Sequence, residues 1–244
     1  MPPPVVLDLP LDAKTYAASL SFPPVADRRD KILQTMVFSE CRQGEGTGRL
    51  VGGLDTRPNP VAPGEGEPKF VCGLDELAER KPCIVYSFGS YNEIMFEVGM
   101  KGLVPSCEVH TFDPFILPTQ ESVDRFGFNV WAWGIGTKAN PKSNDQLQPL
   151  DEIMDYLGHK HIDVLKLDVE GAEIPFLDWL FDRPLLLQAI DQIMFEFHSH
   201  KDLEKYAKRV EGHGFSPVHA RVNDQFFEGT EIAFQSPQLP TDLM

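Results

Sequence analysis

The sequence predicts a doubly wound α/β domain whose mostly parallel sheet is closed by a C-terminal antiparallel hairpin. From residue 83 onward, apolar runs of strand length alternate with segments of helical periodicity, as in parallel sheets with crossover helices. The run at 162–167 is apolar on nearly every residue, which is typical of a central strand covered on both faces. The last two apolar runs, 215–222 and 231–235, flank a polar segment and indicate a hairpin.

The elements follow one another in the order of a parallel sheet. Right-handed crossovers place the carboxyl ends of all parallel strands at one edge, where ligands bind in open α/β sheets. The predicted strands are 83–88, 107–112, 128–133, 162–167 and 189–197, and the predicted helices are 92–101, 146–157, 172–181 and 201–211.

The composition divides the chain into two parts. Residues 1–68 are predicted to form an N-terminal tail, a helix at 25–41 and a Gly/Pro-rich loop, and 69–244 to form the main domain. Two cations of the loop, Arg49 and Arg57, are either solvated loop residues or one of them contacts an acidic substrate.

The charge and the apolar content exclude some partners. With 22 basic and 37 acidic residues, the net charge of −15 repels phosphate backbones, so we expect no nucleic-acid partner. No apolar run approaches the ~20 residues of a membrane span, and the amino terminus lacks signal-peptide features, so we expect no membrane association. The oligomeric state stays open.

The four cysteines are Cys41, Cys72, Cys83 and Cys107, and their spacing matches neither a C-x-x-C motif nor a zinc site. Cys83 and Cys107 open two predicted core strands, where a free cysteine packs as a small hydrophobe. We therefore expect reduced thiols and a cytoplasmic protein, an expectation that a Cys72–Cys83 bridge would overturn.

The most informative motif is a strand–turn–helix–strand unit between residues 83 and 113. Asp113 follows Gly89 at close to the roughly 20-residue interval of a nucleoside-binding βαβ unit, in which the acid binds the ribose hydroxyls. A pyrophosphate requires three glycines at the turn, and this turn has one. The unit therefore favours an adenosine cofactor without phosphate, S-adenosylmethionine, contacted by Phe88, Gly89, Ser90, Asn92 and Asp113.

A second motif, LKLDVEGAE at 165–173, places three acids at the end of a buried strand. Carboxylates at such a position are costly without partners. We predict that Asp168 lies beside the charged tail of the cofactor or a metal, and that Glu170 faces the substrate. Glu173 is interpreted as a first-turn acid that the dipole of the next helix favours.

The fifth strand ends in MFEFHSH, which directs Glu196, His198 and His200 to one face. With Asp168 this set resembles a two-histidine carboxylate metal site, but a general base is the preferred interpretation and no metal is predicted. On the third strand, Trp133 is a candidate to stack on the adenine ring.

These motifs resemble the FkbM-type family of S-adenosylmethionine-dependent methyltransferases, in its eukaryotic branch. The matches are CIVYSFG (83–89), CEVHTFDP (107–114), the run 150–173, FEFH (195–198) and the lead-in KFVCGLDEL (69–77). The resemblance implies a class I methyltransferase, Rossmann-like fold with cofactor contacts at Gly89, Asp113 and Asp168. It also implies an enzyme that O-methylates a small molecule or a sugar. One departure follows Gly89, where the family has a small residue and Asn-Asp and this chain has Ser90-Tyr91-Asn92-Glu93. Crowding of the cofactor by Tyr91 would act against turnover.

We therefore predict a methyltransferase with a small-molecule acceptor. Methyl transfer to an alcohol requires removal of its proton, so Glu170 or His198, with Glu196 as a further candidate, is the predicted base. The first alternative is a methyltransferase fold that binds without turnover. The second is a nicotinamide oxidoreductase, which the missing glycines oppose.

Overall fold

The computed structural model describes residues 41, 48–51, 68–137, 146–197, 200–222 and 230–236. The predicted helix at 25–41 apart from Cys41, most of the predicted loop at 42–68, and the turn between the last two strands lie outside the described residues. The division of the chain at residue 68 therefore stays a prediction.

The described elements alternate between strands and helices. The strands are β1 (Arg49–Val51), β2 (Lys69–Val71), β3 (Ile84–Phe88), β4 (Glu108–Phe112), β5 (Asn129–Trp131), β6 (Gly134–Ile135), β7 (Leu147–Gln148), β8 (Ile162–Leu167), β9 (Ile190–Phe197), β10 (Ser216–Val222) and β11 (Thr230–Gln235). The helices are α1 (Leu74–Glu79), α2 (Met95–Leu103), α3 (Gln120–Phe126), α4 (Leu150–Leu157), α5 (Glu173–Phe181), α6 (Pro184–Gln188) and α7 (His200–Gly212).

Seven strands form the main sheet, in the order β10-β11-β9-β8-β3-β4-β5. The pairs from β9 to β5 are parallel, and β11 is antiparallel to both β9 and β10. The order reverses at β3, with β4 on one side and β8 on the other, so the first crevice for a ligand lies at the carboxyl end of β3. The predicted fold class, a mostly parallel doubly wound sheet with an antiparallel end, is confirmed.

Helices cover both faces of this sheet. One hydrophobic cluster joins α4, α5 and α7 to one face, and the other joins α1, α2 and the β1–β2 pair to the opposite face. Central strands are buried along their whole length because both faces are covered, as the run at 162–167 predicted. None of the described helices is long and apolar enough to span a membrane.

Some boundaries differ from the prediction. The third strand ends at Trp131 instead of residue 133, because Gly134–Ile135 leaves the main sheet and pairs with Leu147–Gln148. Arg49–Val51 is a strand where a loop was predicted, and it pairs with Lys69–Val71. Helix α3 was not predicted. The hydroxyl of Thr119 accepts the N–H of Ser122 at its start, and a glycine at positive φ follows its end.

The expectation of reduced thiols is wrong for this structure. Disulfides join Cys41 to Cys72 and Cys83 to Cys107. Cys83 and Cys107 directly precede the neighbouring parallel strands β3 and β4, so their Cα atoms lie 4.5 Å apart. Sequence spacing did not reveal this pairing because adjacency in the sheet creates it.

Removing the Cys83–Cys107 bridge by the double change Cys83→Ala and Cys107→Ala is expected to lower the free energy of unfolding by about 2–4 kcal/mol. The bridge closes a loop with a sequence separation of 24 residues, and a cross-link of this length restricts the unfolded chain. Urea unfolding with and without reductant measures the effect. Equal stability of wild type and variant under oxidising conditions would contradict it.

A buried ion network lies at the amino-terminal edge of the sheet. The guanidinium of Arg80 donates to the carboxylates of Asp163 and Asp191, and His161 Nε2 lies 3.6 Å from each carboxylate. Asp163 also accepts the backbone N–H of Ile84 at 2.7 Å. Burial opposes protonation of His161, but the two carboxylates outweigh it and raise the pKa of His161 to about 9. Burial likewise opposes ionisation of Asp191, and His161 and Arg80 outweigh it, so the pKa of Asp191 is lowered.

This network predicts how stability depends on pH. The contribution of charged His161 is fully present below its unfolded pKa of about 6.5 and is lost as the pH rises through about 9. The contribution of Asp191 runs the other way: it is present above the unfolded pKa and is lost in acid. We expect His161→Gln to lower the free energy of unfolding by about 3 kcal/mol at pH 6 and by much less at pH 10, as measured by urea unfolding. A pH-independent cost would contradict this assignment.

Candidate active site

The site begins where Gly89 ends β3. Its φ of 79° is left-handed, and a Cβ atom would lie 1.6 Å from the carbonyl oxygen of Asp168, so only glycine fits. The N–H of Gly89 donates to Phe112 O at 2.9 Å, and the N–H of Asp168 donates to Phe88 O at 3.1 Å. The carboxyl ends of β3, β4 and β8 are thereby held together.

Asp113 follows β4 and connects two loops at this edge. Its carboxylate accepts three backbone N–H groups: Tyr91 at 2.7 Å on Oδ2, and Phe115 at 2.8 Å and Ile116 at 2.9 Å on Oδ1. The residue is 3% exposed. Two carboxylate oxygens offer about four acceptor positions, so Oδ2 retains capacity for one further donor. Asp113 thus fixes the turn after β3 against the loop after β4.

The two loops carry an exposed apolar rim. Tyr91 is 70% exposed and Phe115 is 85% exposed, and Leu117 is also exposed. Tyr91 and Asn92 both have positive φ values, which non-glycine residues adopt at a cost. Since the ring of Tyr91 is mostly in solvent, it does not fill the space inside the turn.

Trp133 lies just beyond β5, and its ring is half-buried. It stacks on Trp131 with ring centroids 5.0 Å apart and meets Tyr156 edge-on at 5.1 Å. One face of the ring is therefore covered by Trp131. Its predicted contact with adenine stays a prediction.

Asp168 and Glu196, which the sequence assigned to this edge, are brought together by a buried lysine. Lys69 Nζ lies 3.5 Å from Asp168 Oδ2 and 3.3 Å from Glu196 Oε2, and it also donates to Glu231. Glu196 and Glu231 are direct partners in the β9–β11 register. Facing like charges are unfavourable, so Lys69 compensates for both carboxylates.

A second buried lysine, on β8, binds the backbone of the Gly89 turn. Lys166 Nζ donates to Gly89 O at 2.9 Å and lies 3.8 Å from Asp168 Oδ2. Both ammonium groups thus lie within 4 Å of the same oxygen of Asp168. The carboxylate of Asp168 is 24% exposed and is the part of this cluster nearest to solvent.

The loop after β8 separates the roles of two acids. Glu173 is 1% exposed, and its carboxylate accepts the N–H groups of Val169 and Gly171 at 2.9 and 2.8 Å. This confirms the interpretation of Glu173 as a structural first-turn acid of α5. Glu170 has a φ of 54° and is exposed at the same edge. His198 lies outside the described residues, so its predicted role stays a prediction.

The described part of the chain contains a group with metal-ligand composition away from this edge, formed by Glu108, His110 and His159. The N–H of Trp131 donates to His110 Nδ1 at 3.1 Å, so the neutral ring carries its proton on Nε2, the atom that faces Glu108. Burial and the neighbouring His159 lower the pKa of His110 to about 4. A nitrogen that carries a proton has no lone pair for a metal.

The comparisons with known proteins agree with this architecture. A family model described as "Methyltransferase domain" matches residues 59–235. The chain belongs to this family. It is 34% identical over 156 residues to the probable methyltransferase-like protein 24 of Rattus norvegicus, covering 58% of this chain and 42% of that protein. The human protein of the same name is 36% identical over 139 residues, covering 52% of this chain and 36% of the relative.

The chain thus spans less than half of the length of these curated relatives. Among solved structures, the fibrillarin pre-rRNA processing protein of Methanococcus jannaschii aligns with a TM-score of 0.45 and 10% identity, covering 80% of this chain and 91% of that one.

For a methyltransferase domain, the donor of the methyl group is S-adenosylmethionine, as the single-glycine turn predicted. Sequence reasoning missed Lys69 and Lys166. A lysine inside the apolar run of β8 was a visible signal, since buried lysines require partners. No comparable signal marks Lys69, which reaches the site only because β2 packs beside β9 and β11.

Proposed function

We propose that this domain is an FkbM-type enzyme that transfers the methyl group of S-adenosylmethionine to a hydroxyl oxygen of a small molecule or a sugar. The observation that carries the proposal is the contact of the Gly89 turn with the backbone of Asp168, beside the buried carboxylate of Asp113. This arrangement puts a close backbone turn and an acid at the crevice where the strand order reverses.

The residues at this edge fit the cofactor. Asp113 retains acceptor capacity for a ribose hydroxyl, and the exposed ring of Phe115 next to it offers an apolar face to adenine. The turn at Gly89, with Ser90 and Asn92, holds the amino-acid tail. When bound, the cofactor supplies an electrophilic methyl group, and the protein aligns it with the acceptor.

The acceptor side lies along the ends of β8 and β9. Glu170 is exposed there and is the proposed base that takes the hydroxyl proton of the acceptor. Glu196 is paired with Lys69, so it is better suited to hold that lysine than to accept a proton. Lys69 and Lys166 both lie near Oδ2 of Asp168, whose side chain is 24% exposed.

The structure bears differently on the expectations about nucleic acid, cellular location and turnover. A net charge of −15 disfavours nucleic acid as the acceptor. The cytoplasmic placement stays a prediction, but it has lost the support of free thiols, since disulfides persist mainly in oxidising compartments. The alternative of a fold without turnover depended on crowding by Tyr91, whose ring is mostly exposed.

The test is a transfer assay with the full chain and S-adenosylmethionine labelled on its methyl group. Separate pools of neutral sugars and small alcohols, of small amines, and of RNA are offered as acceptors. The proposal expects label in an ether of the first pool and loss of transfer in Glu170→Gln with cofactor affinity unchanged. Label in amines or RNA, or cofactor binding without transfer to any pool, would contradict it.

A further inference from the structure

Several buried polar atoms without hydrogen-bond partners belong to β3, the turn that follows it, the neighbouring strand β4 and helix α2. They are both carboxylate oxygens of Glu97 and the hydroxyls of Ser87, Ser90 and Thr111. Glu97, Ser87 and Thr111 have no exposed surface, and Ser90 is 2% exposed. Buried polar groups are almost always paired, so a cluster of unpaired ones at one place indicates a missing partner.

The fold brings Ser87, Thr111 and Glu97 to one side of the sheet, and Ser90 lies in the turn directly after β3. Ser87 and Thr111 are register partners in β3 and β4, and they follow Val85 and Val109 on the face that α2 covers. Val104 and Met100, at and before the end of α2, pack into the same cluster. Glu97 lies one turn before Met100, so this inward row of α2 reaches the level of Ser87 and Thr111.

A fully buried carboxylate without a partner is the costliest member of this cluster. The nearest cation along α2 is Lys101, which donates to the carbonyls of Pro105 and Cys107 at 2.8 and 2.9 Å. Among the described residues none is a hydrogen-bond partner of the Glu97 carboxylate, so it can receive a cationic group of a ligand, and the hydroxyls beside it can accept from the same group. An ammonium, with three N–H donors, matches this set of acceptors.

Two other acids near the turn are less suited to an ammonium. Asp113 already accepts three backbone N–H groups, and Asp168 lies 3.5 and 3.8 Å from the ammonium groups of Lys69 and Lys166. Asp168 is thus already compensated by two ammonium groups and does not require a further one.

We propose that Glu97 binds the α-ammonium group of the amino-acid tail of S-adenosylmethionine, together with the hydroxyls of Ser87, Ser90 and Thr111. This assignment rests on the proposed function, and it places the recognition of the tail on a helix residue that the sequence did not single out. Since Glu97 is closed from solvent here, the turn between Gly89 and α2 moves when the tail enters. The positive φ values of Tyr91 and Asn92 show that this turn is held in an unfavourable conformation.

The test compares two ligands that differ only in the tail. S-adenosylhomocysteine carries the ammonium, and 5′-methylthioadenosine has the same nucleoside and thioether without the amino acid. In calorimetric titrations, the full chain that carries Glu97→Gln is expected to bind S-adenosylhomocysteine at least 10-fold more weakly than wild type. Its affinity for 5′-methylthioadenosine should change less than 2-fold. The control is Glu121→Gln, an exposed first-turn acid of α3, which should change neither.

A second measurement separates this role from a structural one. Without ligand, Glu97→Gln should unfold at the same temperature as wild type or higher, because the change removes an unpaired buried charge. Thr111→Val, which removes one unpaired hydroxyl at constant shape, should weaken the affinity for S-adenosylhomocysteine about 3-fold and leave the affinity for 5′-methylthioadenosine unchanged.

Three results would overturn the proposal: an unchanged affinity of Glu97→Gln for S-adenosylhomocysteine, an equal loss for both ligands, or failure of this variant to fold. Wild type that binds neither ligand would overturn the proposed function itself and this assignment with it. Wild type that binds both ligands, with Glu97→Gln unaffected, overturns the assignment alone.

Discussion

Replacing Asp113 by alanine is expected to reduce the affinity for S-adenosylhomocysteine at least 100-fold. The change removes the acceptor of three backbone N–H groups and frees the Gly89 turn from the loop that carries Phe115. Unpaired buried N–H groups cost about 1–3 kcal/mol each, so the free energy of unfolding should also fall by about 3 kcal/mol. Calorimetric titration and urea unfolding measure the two effects.

Asp113→Asn separates binding from stability. The amide of asparagine has the same size as the carboxylate and keeps one oxygen that accepts backbone N–H groups, so this variant should fold. Its NH₂ group is a donor and replaces the second acceptor oxygen, so this variant should still bind S-adenosylhomocysteine poorly. Asp151→Ala, an exposed first-turn acid of α4, is the matched control and should bind as wild type. An affinity of Asp113→Ala equal to that of wild type would show that the nucleoside binds elsewhere.

Replacing Lys69 by methionine is expected to lower the free energy of unfolding by about 3–5 kcal/mol. Lys69 is 5% exposed and is the ammonium group between Glu196 and Glu231, which face each other on adjacent strands. Without it, two carboxylates that are 6% and 7% exposed repel each other in a largely buried site. Chemical unfolding of the purified variant measures the loss.

The compensating variant makes this prediction specific. Lys69→Met combined with Glu196→Gln and Glu231→Gln removes the charges together, and most of the lost stability should return. Lys160→Met is the control, because its surface pair with Asp155 is largely exposed and contributes little. Additive losses in the triple variant would mean that Lys69 does not compensate for these two carboxylates.

The sheet could be predicted because its strands are short, apolar and separated by clear turn signals. The run at 162–167 is buried on both faces and becomes β8 with the predicted bounds. Gly89 could be predicted because a glycine at a strand-to-helix turn indicates close approach of another backbone, here that of Asp168. The predicted end of the third strand was wrong, because Gly134 and Ile135 leave the main sheet and pair with the distant segment Leu147–Gln148.

The partners of the site residues could not be predicted from spacing. Lys69 meets Asp168, Glu196 and Glu231 across three different strands, and one sequence alone does not contain that adjacency. The Cys83–Cys107 bridge has the same cause. Glu97 occurs in an amphipathic helix, where an acid normally marks the solvated face, and only its burial shows otherwise.

Calorimetric titration of the wild-type chain with S-adenosylhomocysteine, and in parallel with NADH, tests most directly whether the crevice at the end of β3 binds a methylated-sulfur nucleoside. We expect saturable one-to-one binding of S-adenosylhomocysteine that Asp113→Ala removes, and no saturation with NADH. No heat at millimolar S-adenosylhomocysteine, or saturable binding of NADH, would contradict it.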